Sequence, residues 1–183
     1  MNSKLQTSAA LLDRFAEATG RIIAWLTLCM VLITFSVVIL RYLFQTGSIA
    51  LQESVSYLHA GVFMLGAAYT LKHDGHVRVD ILYQRYSART RAWIDLLGTL
   101  LLLFPVCLFI LFSSLDYVTT SWSIQEGSRE AGGLDGVFLL KTTIPVMAVL
   151  LLLQGCSIIL HKVLLLRGDA PAADRDNHLD RKL

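Results

Sequence analysis

The densest run of ionisable side chains is Lys72-His73-Asp74-Gly75-His76-Val77-Arg78-Val79-Asp80. Two imidazoles and two carboxylates are competent ligands for a divalent metal. In a connecting loop the set is a weak metal signal, however. A turn tied by Gly75 and salt-bridged to a neighbour accounts for it equally well. His59 is the other candidate, as an axial haem ligand. A second histidine at matching depth would be required, and His73, His76 and His161 all fall near the opposite ends of their apolar segments. The expected role for His59 is a hydrogen bond to a neighbouring helix or a place at the interface. Cys29, Cys107 and Cys156 each stand alone in an apolar block, without CxxC spacing or a Cys/His cluster. They read as small apolar packers. Glu53 and Asp95 are isolated at segment ends, so no nucleophile–base–acid set assembles. The chain is therefore expected to be no enzyme, with no catalytic residue, cofactor or metal, and no nucleic-acid partner.

The elements that must position these residues are apolar. The 183-residue chain is 55% hydrophobic and 16% charged, whereas soluble domains carry about 25% charge. Its apolar residues fall into four blocks: 22–40, 54–71, 96–115 and 144–160. A bilayer crossing takes about 20 apolar residues, and backbone polar groups in hydrocarbon must be satisfied within the segment. Four helices follow, and the lack of alternation excludes a barrel. The expected fold is all-α: a single four-span membrane domain over 1–166, then a disordered tail, 167–183, too polar to bury a core. Residues 3–20 read as an amphipathic helix lying in the membrane interface, with Lys4, Asp13, Arg14 and Glu17 on its polar arc. No cleavable signal peptide is expected, because the first block runs directly into Arg41-Tyr42. Pro145 is expected in the first turn of the fourth span, and Pro105 is expected to kink the third.

Charge placement orients the spans. All but three of the 16 Lys and Arg residues lie in the N-terminal segment, the 72–92 loop or the C-terminal tail. The exceptions are Arg41, Arg129 and Lys141. Positive charge marks the cytoplasmic side, so both termini are expected there. The acidic 116–143 segment is expected to face outward. At hydrocarbon depth the blocks hold no Asp, Glu, Lys or Arg, unlike the ion and substrate pathways of transporters. That points to a helper or scaffold rather than a carrier.

The run Gln52–Leu82, QESVSYLHAGVFMLGAAYTLKHDGHVRVDIL, resembles the small membrane subunit of tripartite ATP-independent periplasmic (TRAP) transporters. That family opens its second span with an acidic residue, here Glu53. It closes the span with Leu-Gly-Ala-Ala, here Leu65 to Ala68. Gly-His-Val/Ile-Arg-Val-Asp follows, here Gly75, His76, Val77, Arg78, Val79 and Asp80. Length, four spans and cytoplasmic termini match over nearly the whole chain. Two tryptophans frequent in the family are missing, with Leu51-Gln52 and His59 near their places. The stretch from Ser121-Trp122 to Lys141 is similar to the mannitol/chloroaromatic branch, which implies an organic-acid solute. The resemblance also implies an inner-membrane location and two partners. A periplasmic solute-binding protein captures solute, and a large permease subunit moves it on a sodium gradient.

Three expectations follow for this chain. The small residues Gly61, Gly66, Ala67 and Ala68 permit close helix approach and are expected to contact the large subunit. Glu126, Arg129 and Glu130 are expected to form part of the binding-protein docking surface. Arg78 and Asp80 are expected to pin their loop to helix ends or to the large subunit. The competing reading is a membrane anchor of a redox enzyme.

Overall fold

The computed structural model describes residues 2–76, 83 and 85–168, with side chains from residue 5 onward. The regular structure of these residues is helical. Helix α1 spans Asn2–Leu43 and α2 spans Ile49–Lys72. Helix α3, Ala88–Gly98, passes through a π-helical turn, Thr99–Leu103, into α4, Phe104–Ser123. Helix α5 spans Val137–Leu166. Serines open two of them: Ser48 Oγ accepts from Leu51 N at the start of α2, and Ser87 Oγ from Thr90 N at the start of α3.

Three segments are long and apolar enough to cross a membrane: Leu5–Leu43, Ala88–Ser123 and Val137–Leu166. Helix α2 is not among them, although it packs along both α1 and α5. Its Gln52, Glu53, Tyr57 and His59 dilute an otherwise apolar sequence. Helix α5 is the centre of the bundle and touches every other helix.

Burial is inverted relative to a water-soluble bundle. The interior is rich in small and polar side chains, with a few large apolar ones: Ala148 and Ser157 are 0% exposed, Ala68, Ala92, Cys107 and Ser121 are buried, and Leu164 is enclosed with them. The exterior is large and apolar: Trp25 is 69% exposed, Phe63 72% and Phe109 73%. In water such a surface would drive association. In lipid, large apolar groups face the tails and small ones let backbones approach. Helix α1 meets α2 in this way, with Leu26 against Gly61, Ile23 against Gly66 and Tyr69 against Gly20.

Several expected boundaries shift. Residues 3–20 are the first turns of α1 rather than a separate helix. Their Asp13 and Glu17, one helical turn apart, face α5 and α2 instead of water. Pro145 lies inside α5, not in its first turn, because the helix already begins at Val137. The early start is tolerated because Lys141 is neutralised there, as described below. Pro105 disturbs its helix through the preceding π-helical turn. A proline ring crowds the carbonyl four residues back, and the Phe104 amide donates instead to Thr99 O, five residues back.

Candidate functional site

Ionisable and hydrogen-bonding side chains gather at the two ends of the bundle. At one end the chain between α4 and α5 comprises residues 124–136, shorter than the 116–143 segment expected from polarity. Glu53, near the start of α2, holds it. One carboxylate oxygen accepts from the Ser128 hydroxyl, and the other accepts from the Leu134 amide at 2.7 Å. Ser128 N donates to Leu134 O at 3.0 Å, closing the loop on itself. Ser128 Oγ in turn accepts from Glu130 N at 3.0 Å. Gly133 fits this turn because a Cβ there would lie 2.7 Å from Glu53 Oε2.

A second clamp stands beside the first. Glu126 accepts from Ser121 Oγ at 2.6 Å and pairs with Lys141. The Lys141 ammonium lies 3.9 Å from the Tyr117 ring centroid, a cation–π contact. Trp122 Nε1 donates to Thr142 Oγ1 at 2.9 Å, and its ring meets Phe138 edge-on. The loop is therefore tied to α2, α4 and α5. It presents Arg129, Glu130 and Asp135 to solvent. Of the expected docking residues, Arg129 and Glu130 are exposed, whereas Glu126 is occupied in holding the loop.

Both clamp carboxylates are shifted. The Ser128 hydroxyl, and then the Leu134 amide, hold Glu53 below the ordinary glutamate value of 4.5. Lys141, and then Ser121, do the same for Glu126. A carboxylate with a lowered folded pKa stabilises the fold above its unfolded value and loses that contribution as pH falls through the folded one. The loop is thus expected to stay clamped at neutral pH and to loosen below about pH 4.5. In a variant keeping Trp122 as the sole tryptophan, fluorescence should hold steady from pH 7 to 5 and change below 4.5. A transition centred near pH 6.5 would implicate histidine instead.

The opposite end carries a different network. Glu17 of α1 binds Lys72 at 2.8 Å, His73 at 3.1 Å and Arg21 at 3.6 Å. Lys72 Nζ also donates to Asp13 O at 3.0 Å. Asp13 accepts from Ser157 Oγ at 2.6 Å and contacts His161 Nε2 at 2.9 Å. Asp95 accepts from Tyr83 OH at 2.7 Å and pairs with Lys162 at 2.9 Å. Together these lock α1 to α2 and α5, and α3 to α5. Of the GHVRVD run, Gly75 closes α2 by donating its amide to Thr70 O at 2.9 Å, and His76 is exposed. Arg78 and Asp80 lie outside the described residues. His59 is exposed on α2, while His161 is engaged by Asp13. No group of three or more metal-ligating side chains occurs among the described residues.

Gly61, Gly66 and Ala68 pack inside the bundle, the glycines against Leu26 and Ile23 of α1. The close approach they permit is already used within the chain. Sequence reasoning missed the Asp13 and Glu17 anchors. The available signal was their four-residue spacing, repeated by Ser157 and His161 on α5.

Residues 30–164 match the family described as the DctQ component of tripartite ATP-independent periplasmic transporters. A segment of 70 residues is 34% identical to the C4-dicarboxylate TRAP transporter small permease protein DctQ of Vibrio cholerae serotype O1. That segment covers 38% of this chain and 30% of the relative. No solved structure matches the chain. With the family match spanning residues 30–164 of 183, on a lipid-type helical bundle, the chain belongs to the DctQ small-subunit family of TRAP transporters.

Proposed function

We propose that this chain is the scaffold subunit of a binding-protein-dependent, ion-gradient-driven importer of an organic acid in the bacterial inner membrane. In this reading α2 is a fourth crossing. Its 24 residues extend about 36 Å at 1.5 Å per residue, and its Glu53 and Tyr57 side chains turn toward the 124–136 loop. Both termini lie in the cytoplasm, on the side rich in Lys and Arg. The large permease subunit carries the solute. This chain widens the rigid body that braces it, and the 124–136 loop meets the periplasmic binding protein through Arg129 and Glu130.

The observation that carries the proposal is the distribution of charge in the bundle. Ionic groups of the described residues gather at its two ends, and the apolar stretches 22–40, 54–71, 96–115 and 144–160 hold no Asp, Glu, Lys or Arg. An ionic solute needs compensating groups along its path, so the path belongs to another chain. Proteoliposomes containing the large subunit and supplied with binding protein and an ion gradient should take up solute only when this chain is present. Vesicles containing this chain alone should take up none. Uptake by this chain alone, or full uptake without it, would remove the scaffold role.

The partner-facing surface is reassigned from the expected one. Because Gly61 and Ala68 are buried in the chain's own packing and Gly66 faces Ile23 of α1, the large subunit is proposed to meet the exposed apolar face of α4. Ala67 contributes to it at most from the edge of α2.

A further inference from the structure

Where α1 ends, the chain turns back on itself. Gln45 adopts a left-handed φ of 53°, and Thr46 N donates to Leu40 O at 3.1 Å. Gln45 Nε2 donates to Tyr42 O at 3.2 Å. The turn leaves an open hollow of about 400 Å³ lined by Arg41, Gln45, Thr46, Gly47 and Gln52. Every side chain in that lining is polar, and the one formal charge is a guanidinium. The side chains of Arg41 and Gln52 have no hydrogen-bond or ion-pair partner among the described residues.

Below the hollow the chemistry changes abruptly. Val38, Phe35, Val31 and Leu28 are exposed on α1. They recede from Arg41 at spacings of three, three, four and three residues, which places them on one helix face. A phosphodiester with hydrocarbon tails fits this pairing. The planar guanidinium donates two parallel hydrogen bonds to phosphate oxygens, and the Gln52 amide donates another. The tails then lie along Val38, Phe35 and Val31. A free inorganic anion would use the first feature and leave the second unexplained.

We propose that the Arg41 hollow is a phospholipid headgroup site. The phosphate seats on Arg41 and Gln52, and the acyl chains run down the apolar face of α1. The inference rests on α1 crossing the bilayer, but not on which proteins accompany the chain.

The test is native mass spectrometry of the full chain, purified in mild detergent, delipidated, and titrated with dioleoyl phosphatidylglycerol. One lipid should bind per chain. Arg41→Ala combined with Gln52→Ala should weaken binding about tenfold or more, as expected for lost hydrogen bonds to a charged group. Arg41→Lys, which keeps the charge and loses the fork, should fall between. None of these variants should shift the melting profile, since neither side chain has a described partner. Dioleoylglycerol, with the same tails and no phosphate, should not bind tightly, and inorganic phosphate should not compete. Equal lipid binding by wild type and double variant would overturn the proposal. Tight dioleoylglycerol binding, or competition by inorganic phosphate, would overturn it too. Loss of a co-purifying membrane protein from the Arg41→Ala preparation, with lipid retained, would assign the hollow to that protein. If the chain retains lipid through Arg41 but no TRAP partner, the lipid site stands and the scaffold reading fails.

Discussion

Gly20→Ala should destabilise the chain by about 1–3 kcal/mol, the usual cost of overpacking. Gly61→Ala, on the same helix pair, should be close to neutral. The difference lies in what each new methyl meets. At Gly20 a Cβ would lie 2.8 Å from Tyr69 Cε2 and nearer still to Cδ2 and Cγ. Those atoms belong to the root and side of the ring, so the whole ring must move. Tyr69 is also 4.4 Å from the His73 ring, and His73 contacts Glu17. Displacing Tyr69 therefore strains the α1–α2 lock as well. At Gly61 the Cβ would meet Leu26 Cδ1 at 3.6 Å, an ordinary contact. There the gain in helix propensity, up to about 1 kcal/mol, offsets any adjustment. Thermal unfolding in one detergent measures both variants. Equal melting temperatures would mean that the α1–α2 contact is looser than described.

The second large effect should come from Glu53→Gln. The two carboxylate oxygens of Glu53 receive two different donors, the Ser128 hydroxyl and the Leu134 amide. An amide side chain keeps one oxygen for the Leu134 amide, so the Ser128 hydroxyl, which already accepts from Glu130 N, loses its charged acceptor and can only accept from the new NH₂. Cleavage by an added protease within 124–136 should become several-fold faster, while the helical content stays unchanged. Uptake should fall most when the binding protein is scarce. Arg129→Ala and Glu130→Ala give the needed contrast. Their side chains are exposed, so the loop should remain protected while uptake at limiting binding protein declines. If Glu53→Gln leaves the cleavage rate unchanged, the latch does not hold the loop. If it loosens the loop without affecting uptake, the loop is a solvated connector.

Much of the helical arrangement was legible from apolar runs, and each run proved shorter than its helix. The expected 54–71 segment lies within Ile49–Lys72, and 144–160 lies within Val137–Leu166. Hydropathy reports depth in a membrane, whereas a helix ends where backbone hydrogen bonding ends. Charged residues such as Lys141 and Glu17 stay helical once a partner neutralises them. For the same reason Pro145, read as a helix start, became an internal proline.

The site was less legible, because its partners are distant in sequence. Glu53 reaches Ser128 and Leu134 across separations of 75 and 81 residues, and Asp13 reaches Ser157 across 144. A single sequence gives no register between helices, so Glu53 read as an isolated carboxylate at a span end. The small residues of α2 were recognisable as a close contact, yet composition does not say whether the contact is internal. The family-type residues Glu53 and Gly75 have structural roles that can be stated, as loop latch and helix terminator.

The central claim is that the chain works as one part of a membrane assembly. Affinity purification of the tagged chain in mild detergent, followed by identification of what accompanies it, tests this most directly. The account predicts one large, many-helix membrane protein in near-equal amount. A chain that emerges alone, or with a haem or a soluble dehydrogenase, would contradict the account and favour a redox-enzyme anchor.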